Sequence, residues 1–271
     1  MAKSSEINRV RKQIDELDQQ IQKLISQRAN CARRVAEIKI ADNKPLYYRP
    51  EREAQVLRAV MARNDDSLKS ESMVRIFREI MSACLAVEQP LSVSFLGPEG
   101  TFTQEAMLKH FGHAVMGVSQ VAVNDIFSDV ATGRSVAHTL DMFLNSPLKI
   151  CGEVELRVHH HLLSQTQTQK ELKRIYGHQQ ALAQCRGWLE ANLKGVEQTP
   201  VSSNAEAAIR ATREAGVAAV ASDAAAEIYK LNVLNSNIED APDNTKRFLI
   251  IGAQSPSSSG DDITSILIME V

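Results

Sequence analysis

The chain has 271 residues, of which 44% are hydrophobic and 24% charged, a composition typical of a globular protein long enough for two domains. No apolar run approaches the ~18 residues of a membrane span, and the polar N-terminus lacks a signal-peptide core, so we expect a cytoplasmic protein without a membrane partner. The four cysteines form no CxxC pair, which argues against a disulfide framework or a structural zinc site.

The first segment predicts one long helix, from about Ile7 to Ile40, in which apolar residues recur at helical spacing. In a heptad frame three cations, Arg11, Arg28 and Lys39, occupy seam positions that a buried helix face keeps apolar. Because burying an unpaired charge costs several kcal/mol, an anionic group must meet these cations. That group is either an acidic side chain in a helical bundle or a small dicarboxylate ligand.

Two further helices are predicted over Pro50–Met61 and Ser70–Glu88. Glu53 lies on the apolar face of the second helix, and Cys84 and Glu88 are one turn apart on the third. Three helices of which one is very long cannot enclose a ligand alone, so we expect a homodimer built on this helical head. Residues 1–90 carry a small basic excess, 17 Lys and Arg against 13 Asp and Glu, which fits an anionic ligand.

After Pro90 the pattern changes to strands that alternate with helices, which predicts an α/β domain with largely parallel sheets. A flexible linker over 255–260 and the start of a strand over 263–271 complete the chain. The predicted elements are strands at 91–96, 172–176, 196–200, 217–221 and 247–252, and helices at 103–111, 124–131, 180–193, 205–214 and 223–229.

Two local motifs of this half invite a functional interpretation. Residues 97–101 form a glycine-rich turn before a helix, which is a natural site for an anion. The run His159–His161 suggests a metal site, but consecutive residues of a strand point to opposite faces, so we expect no metal there.

The helical head closely resembles the all-helical chorismate mutases in the joint spacing of its cations with Arg52, Glu53, Cys84 and Glu88. The resemblance implies a site shared across a dimer, in which Arg28 and the second copy's Arg11 hold the two substrate carboxylates. It also implies that Lys39 points at the ether oxygen of the breaking bond and that Glu53 binds the substrate hydroxyl. Cys84 and Glu88 stand where some relatives carry Ser and Gln.

A carboxyl at position 88 donates a hydrogen bond only when protonated, so we expect mutase activity that is highest at mildly acid pH. The rearrangement of chorismate to prephenate is unimolecular and needs no cofactor or metal.

The second half resembles prephenate dehydratases, and the whole chain is similar to the bifunctional chorismate mutase–prephenate dehydratases of phenylalanine biosynthesis. The resemblance implies an α + α/β fold: a dimerising three-helix domain (1–90), a two-lobed α/β domain like periplasmic binding proteins (91–254), and a linker with the start of a truncated regulatory domain (255–271). It carries over the substrate contacts Thr101, Gln180 and Ser203 and the catalytic Arg247.

Three departures from the family lead us to expect an impaired dehydratase that phenylalanine no longer inhibits. A strand and a cleft-lining Val-Pro-x-Glu-Asn-Ser segment of the relatives are missing near Ser135–His138. Lys246 precedes Arg247-Phe248 where relatives carry the threonine that protonates the leaving hydroxyl, and Thr245 is one residue out of register. The chain also stops where the family's phenylalanine-sensing domain begins.

The sequence leaves two other functions open beside this enzyme. One is a non-catalytic two-lobed receptor for a small acid, dimerised by its helical head, which would not require Arg11, Arg28, Lys39 and Glu53 together. The other is a nucleic-acid-binding protein, which the overall charge of −2 and the seam position of the cations disfavour.

Overall fold

The computed structural model describes residues 2–43, 48–65, 67–131, 146–253, 255–260 and 262. Its chain forms two compact units. The helical unit comprises the described residues of Met1–Leu91, Phe111–Met116 and Ser257–Val271. The α/β unit comprises those of Ser92–His110 and Gly117–Pro256.

The helical unit contains α1 (Ala2–Ala41), α2 (Pro50–Ala62) and α3 (Ser70–Glu88), close to the predicted bounds. Proline supplies the first residue of α2, where its missing N–H costs nothing. Helix α3 ends just before Pro90, which cannot continue a helix. None of the helices in the described ranges is long and apolar enough to span a membrane.

Among the residues that the structure describes, none covers the N-terminal half of α1. Every residue from 6 to 24 is exposed, including an apolar stripe whose members range from 45% exposed at Val10 to 62% at Leu24. Further along, α1 packs against α3, and Ala36 is buried there. The exposed members of the stripe are Ile7, Val10, Ile14, Leu17, Ile21 and Leu24.

The α/β unit alternates helices with strands, as the sequence predicts. Its helices are α4 (Phe102–Phe111), α5 (Val123–Ala131), α6 (Gln179–Gln184), α7 (Arg186–Asn192), α8 (Asn204–Arg213) and α9 (Asp223–Tyr229). Its strands are β1 (Ser92–Leu96), β2 (Met116–Gln120), β3 (Lys149–Arg157), β4 (His161–Ser164), β5 (Arg174–His178), β6 (Glu197–Val201), β7 (Val217–Ala221), β8 (Asn232–Asn235) and β9 (Thr245–Gly252).

The prediction of largely parallel sheets is wrong. In the five-stranded sheet, of order β6-β5-β7-β4-β8, strand β5 runs parallel to β6 and β7, but β4 runs antiparallel to β7 and β8. Strands β3 and β9 form a separate antiparallel pair. These antiparallel contacts join segments far apart in the chain, which no local pattern reveals.

The predicted helix over 180–193 is two helices. The chain leaves helical geometry at Cys185, and α7 begins immediately after it. The carboxylate of Asp240 accepts hydrogen bonds from the backbone N–H groups of Gly187 (2.8 Å) and Trp188 (2.9 Å). An acceptor from another segment thus satisfies the first N–H groups of α7, which stabilises a second helix start.

The core of the α/β unit surrounds β7, whose five residues are all buried. Ala218 and Val220 pack with α6 and α7, whereas Ala219 and Ala221 pack with α8 and α9. Helices therefore cover both faces of this strand, as its continuous apolar sequence implies. The region of the expected missing strand, Ser135–His138, and the expected strand start over 263–271 lie outside the described residues.

Candidate active sites

The helical unit contains a cavity of about 400 Å³ between its three helices. Its described lining combines five cationic side chains with two carboxyls, so the cavity suits an anionic ligand. The charged members are Arg28, Lys39, Arg49, Arg52, Arg78, Glu53 and Glu88.

Glu53 is fixed in this cavity by two neighbours. The hydroxyl of Tyr48 donates a hydrogen bond of 3.0 Å to its Oε2, and Arg78 Nε lies 3.5 Å from its Oε1. Burial raises the pKa of Glu53 and outweighs the opposite effects of Tyr48 and Arg78. The sequence does not single out Tyr48 or Arg78. Tyr48 lies in a loop and Arg78 reaches Glu53 from another helix, and heptad spacing specifies neither arrangement.

Lys39 and Glu88 meet at the end of the cavity formed by the last turns of α1 and α3. Lys39 Nζ lies 3.6 Å from Glu88 Oε2, and their side chains are 23% and 18% exposed. Cys84, one turn before Glu88, is buried and lines the same cavity. The structure therefore brings together all the candidates of the head except Arg11.

Arg11 does not belong to the described lining of its own chain's cavity. It is exposed on α1, about 42 Å before Lys39 at ~1.5 Å per residue. Its own cavity is therefore out of reach, and any role for Arg11 in such a site requires a second copy of the chain.

In the α/β unit, the carboxyl ends of β5 and β6 bring two candidates to the same sheet edge. Gln180 lies in the first turn of α6, directly after β5, and Ser203 follows β6. Ser203 is the N-cap of α8, where its Oγ accepts a hydrogen bond of 3.0 Å from Glu206 N. Asn204 Oδ1 accepts a hydrogen bond from His178 N (2.9 Å) and so links the starts of α6 and α8. The Glu206 carboxylate also lies at this edge, where it accepts from Ser202 N (2.9 Å).

Thr101 reaches this edge through the glycine-rich turn. The Gly100 carbonyl accepts a hydrogen bond of 3.2 Å from Ser222 Oγ, the N-cap of α9, which follows the parallel strand β7. Thr101 Oγ1 itself donates to the Leu96 carbonyl at 3.1 Å. Gly100 adopts a φ of +82°, and an added Cβ would lie 3.0 Å from the Tyr229 ring, so both conformation and space favour glycine there.

Arg247 and Lys246 point to opposite faces of β9. Arg247 is exposed, and its guanidinium pairs with the Glu153 carboxylate through two contacts, of which Nε to Oε1 is 2.9 Å. Lys246 is half-buried, with Nζ 5.9 Å from the centroid of the Phe102 ring, and burial lowers its pKa. Lys246 therefore lies beside Phe102, the first residue of α4, while Arg247 is held by Glu153.

The histidine run makes protein contacts. His159 Nδ1 lies 2.7 Å from Glu239 Oε1, and His160 Nε2 lies 2.9 Å from Gln184 Oε1. His161 Nε2 is 3.2 Å from Asp223 Oδ1, although without the alignment of a hydrogen bond. Within the described ranges, no cluster of His, Cys, Asp and Glu could hold a metal ion.

Glu105, on α4, is a titratable group that the sequence does not single out. Burial, together with the charge of Asp223, raises its pKa to about 6. Asp223, whose charge contributes to this shift, comes from a distant segment of the chain. The helical pattern of α4 shows Glu105 only as a polar position and does not predict this neighbour.

The chain thus has two parts, a helical unit with a cation-lined cavity and an α/β unit with candidate polar residues at one sheet edge, an arrangement typical of an enzyme for small anionic substrates. Family models give its two parts: "Chorismate mutase type II" matches residues 10–89 and "Prephenate dehydratase" matches residues 93–256. The chain belongs to the bifunctional chorismate mutase/prephenate dehydratases and joins an isomerase to a lyase, with chorismate and prephenate as substrates. Because the members of this family are enzymes, the membership disfavours the alternative that the chain is a non-catalytic receptor for a small acid.

Close relatives share almost the whole chain. The bifunctional chorismate mutase/prephenate dehydratase of Pseudomonas aeruginosa is 49% identical and that of Stutzerimonas stutzeri 48%, each across 99% of this chain and 79% of the relative. Both alignments span 287 positions, more than the 271 residues of this chain. Each relative therefore has residues within the aligned region that this chain lacks.

The predicted fold class is confirmed by a solved structure. A prephenate dehydratase from Arthrobacter aurescens, in complex with L-Phe, matches with a TM-score of 0.58 and 26% identity. The match covers 63% of each chain. The chain thus combines a helical chorismate mutase domain with an α/β prephenate dehydratase domain.

Proposed function

We propose that the helical cavity is the chorismate mutase site. The observation that carries this proposal is one cavity that holds Arg28, Lys39 and Arg52 together with two largely buried carboxyls. Arg28 binds one substrate carboxylate, and Lys39 donates to the ether oxygen, where negative charge grows as the C–O bond breaks. Fixed cations in a partly dry site stabilise that charge without reorganisation, which is the main contribution a protein can make to a unimolecular rearrangement.

The remaining side chains of the cavity orient the substrate. Glu53 accepts a hydrogen bond from the substrate hydroxyl, for which Tyr48 and Arg78 already position its oxygens. Protonated Glu88 donates to the ether oxygen beside Lys39. Arg52 and Cys84 line the site and complete its contacts with the substrate.

The site also requires a second copy of the chain. An apolar stripe exposed along some four turns of α1 supports a homodimer in which each α1 covers the other. In that dimer Arg11 of the second copy binds the second carboxylate. We place the mutase domain at residues 1–90, the dehydratase domain at 91–254 and a linker after it. Thiols at all four cysteines support a cytoplasmic location.

The test is the loss of chorismate absorbance when the purified chain is added. Lys39→Ala is expected to lower kcat at least a hundredfold, because it removes the donor to the developing charge. Far-ultraviolet circular dichroism must show unchanged helix content. An active Lys39→Ala variant would refute the assignment of the site.

We propose that the dehydratase site lies at the sheet edge that carries Thr101, Gln180 and Ser203, and that it is impaired. The relatives' additional residues support a missing structural piece. Lys246, whose Nζ lies 5.9 Å from the centroid of the Phe102 ring, stands where relatives carry the proton-donating threonine, which supports a changed proton donor. The resemblance assigns Arg247 a catalytic role. Its guanidinium would have to break the ion pair with Glu153 before it could bind the substrate.

Conversion of prephenate to phenylpyruvate by the purified chain tests this impairment. We expect turnover well below the ~1–100 s⁻¹ of ordinary enzymes. A rate within that range would refute the impairment while leaving the mutase proposal intact.

A further inference from the structure

A short segment from the downstream half of the chain belongs to the helical unit. Residues 111–116, from the last residue of α4 to the first of β2, contact α3. Glu79 accepts a hydrogen bond of 3.1 Å from His113 N and lies 2.8 Å from His113 Nδ1. Ser82 Oγ accepts from Ala114 N at 3.2 Å. Two residues one turn apart on α3 therefore hold the segment in place.

Gly112 allows this segment to approach α3 closely. It adopts a φ of +75°, which favours glycine, and an added Cβ would lie 2.6 Å from the Cβ of Ser82. Ser82 is itself 5% exposed. The fit between the segment and α3 is thus a specific packing arrangement.

Phe111, at the start of this segment, lines the cavity of the helical unit. Its ring contacts that of Tyr48 edge to face, with centroids 5.2 Å apart and planes at 61°. Tyr48 in turn donates its hydroxyl proton to Glu53. A chain of contacts therefore runs from Phe111 through Tyr48 to a carboxyl in the cavity.

Tyr48 needs such support because it lies outside any helix, two residues before α2 begins. A ring that is not fixed by a helix samples other rotamers unless neighbouring side chains pack against it. The raised pKa of Glu53 is consistent with a cavity wall that limits access of water on this side.

We infer that Phe111 is a positioning residue for the mutase reaction, which orients Glu53 through Tyr48, and that residues 111–116 form part of the mutase site. This segment lies outside the residues 10–89 that match the mutase family model. The inference rests on the proposed role of Glu53 in binding the substrate hydroxyl. The mutase site of this chain is thus completed by a segment of the helical unit that lies further along the chain than the three helices.

The experiment measures chorismate kinetics of the full chain with Phe111→Ala, Tyr48→Phe and the double variant. Phe111→Ala is expected to raise KM about three- to tenfold, the fold-change that corresponds to losing the interaction energy of one aromatic pair. The kcat should change less than twofold. In the Tyr48→Phe background the same substitution should change KM less than twofold, because the hydroxyl through which Phe111 acts is already absent. Phe111→Leu, which keeps most of the volume, should be intermediate and serves if the alanine variant does not fold.

Phe127→Ala is the matched control, since Phe127 is a buried aromatic of α5 in the α/β unit and should leave the mutase constants unchanged. Two outcomes would overturn the inference: a wild-type KM in both Phe111 variants, or a double variant whose KM change is the product of the two single changes. The proposed site would still stand if Lys39→Ala abolished activity in the same assays. Activity that survives Lys39→Ala would instead refute the proposed site, and the inference with it.

Discussion

At the scale of single residues, Glu88 links the pH of the solution to the mutase reaction. Its carboxyl donates a hydrogen bond to the ether oxygen only when protonated, whereas the amide of Glu88→Gln donates at every pH. We expect wild-type kcat to fall as pH rises from 5 to 8, because the ionised carboxylate no longer donates this hydrogen bond. The rate of Glu88→Gln should stay constant over this range.

The decay of chorismate absorbance in buffers of equal ionic strength measures both profiles. Cys84→Ser is the control, because it changes a neighbouring lining residue without adding or removing a carboxyl. A flat wild-type profile that matches Glu88→Gln would contradict this role.

Glu105 links pH to the stability of the α/β unit. Its pKa in the folded protein is about 6, above the ordinary 4.5, so the folded state binds a proton more tightly than the unfolded chain. The stability that protonated Glu105 contributes to the folded state is fully present below pH 4.5 and is lost as pH rises through 6. The loss lowers the free energy of unfolding by at most about 2 kcal/mol. Glu105→Gln should therefore raise the free energy of unfolding at pH 7.5 by up to about 2 kcal/mol and change it little at pH 4.5.

Urea denaturation followed by the fluorescence of Trp188, the single tryptophan, gives this difference. The exposed Glu227→Gln is the matched control and should show no such pH-dependent gain. Equal gains for Glu105→Gln at both pH values would show that its charge is not the cause.

The residues of the helical site differ in how far the sequence predicts them. Arg28, Lys39 and Glu88 follow from helical spacing, because each lies on the face of its helix that carries the apolar residues, where a charge must be explained. Tyr48 and Phe111 contact the same cavity from a loop and from the downstream half of the chain. Their positions depend on long-range packing, which periodicity does not encode.

At the scale of elements, the helices were predicted more accurately than the strands. Proline and apolar periodicity define α2 and α3, and β7 and α9 have the predicted bounds. The predicted strands do not include β2, β3, β4 or β8. Strands β2 and β8 are short and have largely exposed residues with little apolar alternation. The sequence does not predict that β4 pairs antiparallel with β7 and β8, because that pairing depends on which distant strands lie beside it.

Ser203 tests whether a candidate substrate contact also stabilises an element. Its Oγ caps α8 by accepting from Glu206 N, and loss of such a cap costs about 1 kcal/mol. Without substrate, Ser203→Ala should lower the free energy of unfolding by about that amount, whereas Ser203→Asp should keep the cap and the stability. A Ser203→Ala variant as stable as the wild type in urea denaturation would refute the capping role.

At the scale of the whole molecule, the proposed mutase site depends on two chains. Lys39 lies in the cavity of its own chain, and Arg11 is too far along α1 to reach it. Two inactive variants, Arg11→Ala and Lys39→Ala, should therefore complement each other when mixed. A mixed dimer has one site with Lys39 from the first chain and Arg11 from the second, and one site that lacks both.

Random reassociation of equal amounts makes half of the dimers mixed, so the mixture should recover about one quarter of the wild-type activity per chain. The variants are dissociated in mild denaturant, mixed, returned to buffer and assayed for loss of chorismate absorbance. Leu17→Asp, in the exposed stripe of α1, is the control, because a charge there should prevent dimerisation and should abolish recovery when introduced into both partners. Recovery that persists with Leu17→Asp, or no recovery from dimers shown to be mixed, would contradict a site shared across the α1 interface.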